Sequence, residues 1–128
     1  MTKRILVIDD DESIRKAFAL ALEDTGYSVN TVESGERGLE QARGTSYDLY
    51  FLDLKMPGMD GVQTLHELRD IGVKAPIYVV TAFHEEYFEQ LKNAERDGVD
   101  FELLHKPVTA DQIVLVARSA LEGPIGHQ

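Results

Sequence analysis

The 128-residue chain is predicted to fold as an α/β domain, a doubly wound parallel sheet of five strands with five helices. Two observations predict it. Short apolar runs rich in β-branched residues alternate with stretches of helical periodicity. Glycine falls just past each helical stretch, where a residue with positive φ is wanted. A block of four carboxylates follows directly on the first apolar run, so the acidic residues are not spread evenly.

The first apolar run is Ile5-Leu6-Val7-Ile8, unbroken by polar residues, as in a strand buried on both faces of a parallel sheet. Ile14, Phe18, Ala21 and Leu22 then repeat at the spacing of one buried helix face. A second strand is predicted over 27–32 and a helix over 34–43, the least helical of the five because Gly35 and Gly38 both lower its propensity. The third strand, 48–53, precedes a helix carrying the stripe Val62, Leu65, Leu68. The fourth, 76–81, precedes Phe88, Leu91 and Ala94; the fifth, 101–104, precedes Ile113, Ala117, Ala120 and Leu121. Thr109-Ala110-Asp111-Gln112 fits a capping box that opens this last helix. Gly26, Gly44, Gly72, Gly98 and Gly123 are the expected helix stops. Repeated strand–helix units imply right-handed crossovers and helices on both faces of the sheet. The domain is expected over 1–122, with 123–128 a tail or the start of a linker.

Composition narrows the function. Thirteen Lys+Arg against 23 Asp+Glu leave a net charge of −10. Such a surface argues against binding nucleic acid through its phosphates, which needs clustered cations. The absence of cysteine excludes a disulfide scaffold, a thiol nucleophile and a Cys-based zinc site, and fits a cytoplasmic address. The N-terminal apolar run is too short for a signal peptide, and no run approaches a membrane span.

Ligands of open parallel sheets bind beyond the carboxyl ends of the strands. Here those ends carry Asp9-Asp10, Asp53, Thr81-Ala82 and Lys106-Pro107. The turn after the first strand is Asp-rich, so it would repel the phosphate that a Gly-rich turn cradles. It suits a hard cation; magnesium takes oxygen ligands and commonly one or two carboxylates plus a phosphoryl oxygen. Two carboxylates about 4 Å apart repel by roughly 4 kcal/mol at an effective dielectric near 20. A divalent ion together with Lys106 would balance the three carboxylates Asp9, Asp10 and Asp53. Each residue alone has a plainer reading: an N-terminal helix cap, a turn former, an ordinary strand threonine, a solvated lysine. Their shared position at strand ends is what favours a site. The four histidines, His66, His84, His105 and His127, read as surface residues rather than ligands.

Four segments carry a resemblance: ILVIDDDES at 5–13, LDLKMPGMDG at 52–61, VVTA at 79–82 and HKPV at 105–108. In this order they resemble the receiver domain of bacterial two-component response regulators, from about Arg4 to about Leu121. The resemblance implies the flavodoxin-like strand order 2-1-3-4-5 and a phosphorylation-dependent signalling switch rather than an enzyme with an external substrate. It implies that Asp53 is the phosphoacceptor for a phosphohistidine on a sensor histidine kinase or phosphotransfer protein. Mg²⁺ would be bound by Asp10, by Asp9 mainly through water, by Asp53 and by the backbone carbonyl of Lys55. Thr81, the Ala82 amide and Lys106 would contact the phosphoryl group, and Pro107 would follow a cis bond. Phosphorylation would remodel the surface of helix 4, strand 5 and helix 5. That surface would serve a downstream effector or attached output domain, or a phosphorylation-dependent dimer.

One departure concerns the switch. The family's aromatic residue three places before the lysine is here Leu103, and the segment from Gly98 to Lys106 is one residue longer than usual. Phe101 is the nearest aromatic, but it lies roughly 6.6 Å further back along an extended strand. Two other readings compete. One is a degenerate receiver that binds partners without phosphorylation, which the complete set of five site residues disfavours. The other is a Mg²⁺-dependent phosphohydrolase of the haloacid-dehalogenase type, which would need an acid–base Asp where Lys55 stands.

Overall fold

The structure, a computed structural model, describes residues 2–82 and 84–123. Five strands, β1 (Arg4–Ile8), β2 (Ser28–Val32), β3 (Leu49–Asp53), β4 (Ile77–Thr81) and β5 (Glu102–His105), alternate with five helices. These are α1 (Glu12–Ala21), α2 (Gly35–Gly44), α3 (Gly61–Asp70), α4 (Phe88–Arg96) and α5 (Ala110–Glu122), and a 3₁₀ turn His84–Tyr87 leads into α4. All strands are parallel in the order β2-β1-β3-β4-β5, as expected.

The apolar runs alternate between two cores, which explains why they contain no polar breaks. Leu6, Ile8, Leu52 and Val79 face α2, α3 and α4, against Leu39, Leu65, Leu68 and Leu91. Ile5, Val7, Phe51 and Val80 face α1 and α5, against Phe18, Leu22, Ile113 and Ala117. Full burial of each such side chain is worth about 1.5–3 kcal/mol. Phe18 and Phe51 pack at 4.9 Å between ring centres and anchor α1 to the central strand.

The glycines of α2 have a packing role that outweighs their low propensity. A Cβ on Gly35 would lie 2.1 Å from Thr64 Oγ1, and one on Gly38 would lie 2.5 Å from Ile8 Cδ1. Only glycine lets α2 approach α3 and β1 this closely. Gly44 departs from expectation. It ends α2 without a positive φ, because Thr45 caps the helix in extended conformation with its N–H on Gln41 O. The other expected stops, Gly26, Gly72, Gly98 and Gly123, do take positive φ, and so does Gly58 (+75°), in the loop after β3.

The predicted fifth strand begins one residue later than expected and includes His105, so Phe101 precedes it. The capping box at Thr109 is present, with Gln112 N–H donating to Thr109 Oγ1 and Thr109 N–H donating to Gln112 Oε1. At the end of the sheet remote from the Asp-rich turn, the Arg69 guanidinium donates to the carbonyls of Val73, Ala75 and Asp100. Positions 124–128 of the expected tail, His127 among them, lie outside the described residues. No helix among the described residues is long and apolar enough to cross a membrane.

Candidate functional site

The β1 strand delivers Asp9 and Asp10 to the carboxyl edge of the sheet. Asp9 N–H donates to Val32 O at 3.1 Å, which extends the β1–β2 ladder one residue past the strand. The Asp9 carboxylate accepts from Asp11 N–H at 2.9 Å, and its carbonyl accepts from Arg15 Nη1 at 2.8 Å. Asp11 takes the plain role anticipated for part of this run. It caps α1, accepting from Ser13 N–H at 2.9 Å.

Asp53 is the last residue of β3, in the adjacent strand, and its register partner on β4 is Val80, one residue before Thr81. Carboxylate oxygens of Asp9, Asp10 and Asp53 lie within 4.8 Å of one another. Asp9, Asp53 and Thr81 are buried, at 3%, 5% and 2% exposure, while Asp10 faces solvent. Lys106 enters from beyond β5, its backbone N–H donating to Thr81 O at 3.0 Å and its peptide bond to Pro107 in the cis form. The ammonium donates to Asp53 Oδ1 at 2.9 Å and approaches Asp9 Oδ2 at 3.5 Å.

Burial drives the electrostatics. Desolvation pushes the Asp53 carboxyl up to about 6, with the neighbouring Asp9 and Asp10 charges adding to it and Lys106 opposing it. Desolvation likewise raises Asp9, against the Asp11 N–H and Lys106. Burial acts to lower Lys106, but the Asp53 and Asp9 carboxylates outweigh it and hold the ammonium above its ordinary value. One lysine therefore does not neutralise the cluster. An all-oxygen donor set with surplus negative charge is the chemistry that suits magnesium, so these residues fit the ion the resemblance implies.

The loop after β3 is built to hold this geometry. Gly61 N–H donates to Leu54 O at 2.8 Å, and a Cβ on Gly61 would fall 2.2 Å from Asp53 O. Asp60 caps α3, accepting from Gln63 N–H at 2.9 Å. Leu54 and Met56 point into the α2/α3/α4 core, whereas Lys55 is exposed and pairs with Glu86 at 3.8 Å. Next to Glu86, Tyr87 is half-buried on that same core. Burial raises its hydroxyl, helped by the charges of Glu86, Asp60 and Asp53.

Asp9, Asp10, Asp53 and Lys106 thus converge, with Thr81 beside them on the neighbouring strand. Ala82 lies in an exposed bend at the site rim. Neither residue considered for the switch joins the cluster. Leu103 pairs with Val79 in the sheet and is 39% exposed. Because Leu104 packs toward α1 and α5, strand alternation turns Leu103 to the α4 side. Phe101 is half-buried in the α4-side core, ahead of the strand. His66 is half-buried on α3 and His105 exposed on β5, neither grouped with the acidic cluster. The Lys55–Glu86 pair and the Arg15 contact were not foreseen. The one trace of the latter in the sequence is a cation one helical turn after the acidic run.

Comparison with known proteins agrees with this geometry. The response regulator receiver domain model matches residues 5–118. The chain is 33% identical, over 97% of its length, to the alkaline phosphatase synthesis transcriptional regulatory protein PhoP of Bacillus subtilis, and covers 52% of that protein. It is 36% identical, over 92% of its length, to the transcriptional regulatory protein GlrR of Escherichia coli, covering 26% of it. The chain therefore spans about half or less of these curated relatives. Among solved structures, Vibrio cholerae chemotaxis protein CheY4 superposes with TM-score 0.81 at 26% identity, over 94% of this chain and all of CheY4. A CheY-like receiver domain protein of Methanospirillum hungatei superposes with TM-score 0.85 at 25% identity, over 95% of each chain. With a family match spanning both flanks of the sheet and every strand end that carries a site residue, this chain belongs to the receiver domains of two-component response regulators.

Proposed function

We propose that this domain is a switch that accepts a phosphoryl group on Asp53 from a phosphohistidine of a sensor kinase or phosphotransfer protein. The observation that carries the reading is Asp53 itself, buried, within 4.8 Å of two further carboxylates and 2.9 Å from Lys106 Nζ. Asp53 ends β3 at the carboxyl edge of the sheet, and one of its carboxylate oxygens is the nucleophile. In the transfer that oxygen bonds to phosphorus, the phosphorus–nitrogen bond breaks, and the leaving imidazole takes a proton from solvent. Phosphoryl transfer asks for positioning and charge neutralisation rather than covalent work by the protein. Magnesium held by Asp9, Asp10, Asp53 and the Lys55 carbonyl would supply divalent charge for the phosphoryl oxygens. Lys106 supplies the fixed cation, moving its hydrogen bond from carboxylate to phosphoryl oxygen. Thr81 and the Ala82 amide donate to the remaining oxygens.

An apolar depression beside Lys106, lined by Ile14, Ala17, Phe18, Pro107, Val108 and Ile113, offers the donor protein a docking surface next to the site. Relatives that are transcriptional regulators and about twice this length or more support a longer setting, with an effector or attached output domain reading the switch. The cytoplasm is the compartment that suits this chemistry.

The test uses intact mass after incubation with Mg²⁺ and acetyl phosphate. One acid-stable, hydroxylamine-labile phosphoryl group is expected, and Asp53→Ala should abolish it. A protein that stays unmodified with a competent donor is a binding module; rapid turnover of many phosphate esters marks a hydrolase.

A further inference from the structure

We propose that the Lys55–Glu86 ion pair is a latch between the phosphorylation site and the entry to α4, and that a phosphoryl group on Asp53 opens it. The proposal rests on Asp53 being the phosphoacceptor. Its geometric basis is that two chain segments meet at this pair. Lys55 stands two residues after Asp53, in a loop whose backbone is fixed by the Gly61–Leu54 hydrogen bond and by the buried Leu54 and Met56 side chains. In this pinned loop the exposed Lys55 side chain is the part able to move. Glu86 belongs to the 3₁₀ turn His84–Tyr87, and Phe88, 51% exposed, is the first residue of α4. A change at Glu86 therefore passes directly to the start of α4.

The strength of the pair suits a switch. Both partners are more than half exposed and 3.8 Å apart, so solvent and salt screen their attraction. Breaking such a pair shifts a two-state equilibrium by about fivefold at most. A phosphoryl group brings nearly two negative charges and three strong acceptor oxygens. Placed two residues from Lys55, it competes with a single, well-solvated carboxylate for the ammonium. Losing Lys55, Glu86 is left facing a site that has become more negative. Tyr87 registers the event, because it packs on the core shared by Leu54, Met56 and Leu91 and its hydroxyl feels the charges of Asp53 and Asp60.

The usual exit from the site through β5 is weakened here. Leu103 carries no hydroxyl and is 39% exposed, so it has little packing to change. The 3₁₀ turn is the other element that joins the site loop to α4, and through it the charge state of Asp53 reaches the surface by population shift.

The experiment uses the full chain labelled with 3-fluorotyrosine, with the Tyr87 ¹⁹F resonance assigned by Tyr87→Phe. Spectra are taken before and after acetyl phosphate with Mg²⁺, with intact mass measured on the same samples. The Tyr87 resonance should move on phosphorylation. Glu86→Gln should move the unphosphorylated resonance part of the way to the phosphorylated position. Raising ionic strength should do the same in the unsubstituted protein and nothing in Glu86→Gln. The double exchange Lys55→Glu with Glu86→Lys should restore the resting position and lose most of the phosphorylation shift. An adduct on Asp53 with a stationary Tyr87 resonance would overturn the latch alone, as would a Glu86→Gln spectrum that matches the unsubstituted protein in both states. No adduct at all would overturn the phosphoacceptor reading and the latch with it.

Discussion

Lys106 Nζ donates to Asp53 Oδ1 at 2.9 Å, reaching from beyond β5 across the end of β4 to the end of β3. This contact sets a fixed cation against a buried carboxylate that burial has already pushed up to about 6. Replacing Lys106 by Met keeps the aliphatic stem and removes the charge. The Asp53 carboxyl should then titrate still higher, and the transferred phosphoryl oxygens should lose their lysine donor. Removing one preorganised charge of this kind typically costs about 10²–10³ in rate. The expected outcome is a loss of that order in the initial rate of adduct formation, followed by intact mass at fixed donor and Mg²⁺. A rate within twofold of the unsubstituted protein would show that Lys106 is only a structural partner.

Asp53 also links stability to pH. Its carboxyl titrates at about 6 in the folded protein against an ordinary value of 3.8, so the folded state holds that proton more tightly than the unfolded chain. The contribution to stability is full below the ordinary value and is lost as pH rises through about 6. Asp53→Asn removes the buried charge, so the metal-free variant should be more stable than the unsubstituted protein near pH 7.5, by about 1–3 kcal/mol. The gap should close near pH 4. Urea unfolding in chelator at both pH values measures it, and millimolar Mg²⁺ should narrow the gap at pH 7.5 by stabilising the native carboxylate. A gap of equal size at the two pH values would remove buried charge as its cause.

The same buried strand ends explain why so much was legible from the residues. Parallel strands covered on both faces leave runs such as Ile5 to Ile8 and Leu49 to Leu52 with no polar alternative, and the first carboxylate after a run then marks its edge. Asp9, Asp53, Thr81 and Lys106 could be located for that reason. What stayed hidden depends on approach between elements distant in the chain. Gly35 and Gly38 look like helix breakers until Thr64 and Ile8 are seen against them. Gly44 looked like a helix stop, yet Thr45 ends the helix in extended conformation. The Lys55–Glu86 pair joins two loops whose side chains carry no periodicity. The placement of Leu103 follows from the start of β5 at Glu102, one residue off the apolar run.

Gly61 offers a test of how tightly the loop holds its aspartate. It opens α3, and the Cβ of an alanine there would lie 2.2 Å from Asp53 O and 2.6 Å from Leu54 Cα, both backbone atoms with nowhere to withdraw. Alanine is otherwise the better helix former. Gly61→Ala should therefore destabilise the domain by about 2 kcal/mol or more despite its gain in propensity, a cost typical of forced overlap. It should also lower adduct formation, since the displaced atom is the carbonyl of Asp53, the proposed phosphoacceptor. Chemical denaturation and intact mass on the same preparation read both effects. A variant as stable as the unsubstituted protein would mean that the loop yields without moving Asp53.

Leu103 and Phe101 can be separated by their cost to folding. Leu103 sits on the α4 side of β5 at 39% exposure, outside both cores, so truncation to alanine removes little buried surface. Its expected cost is about 0.5–1 kcal/mol. Phe101 packs on the core of Leu65, Leu68 and Leu91, and its ring holds the segment between α4 and β5. Its truncation should cost about 2 kcal/mol, below the range for a fully buried phenylalanine because the side chain is only partly buried. Neither residue touches the acidic cluster, so both variants should form the Asp53 adduct at the unsubstituted rate when folded. Urea midpoints rank the two, and adduct rates check that the site is intact. If Leu103→Ala proves the more costly, Leu103 is packed in solution and β5 regains a side chain able to carry the switch.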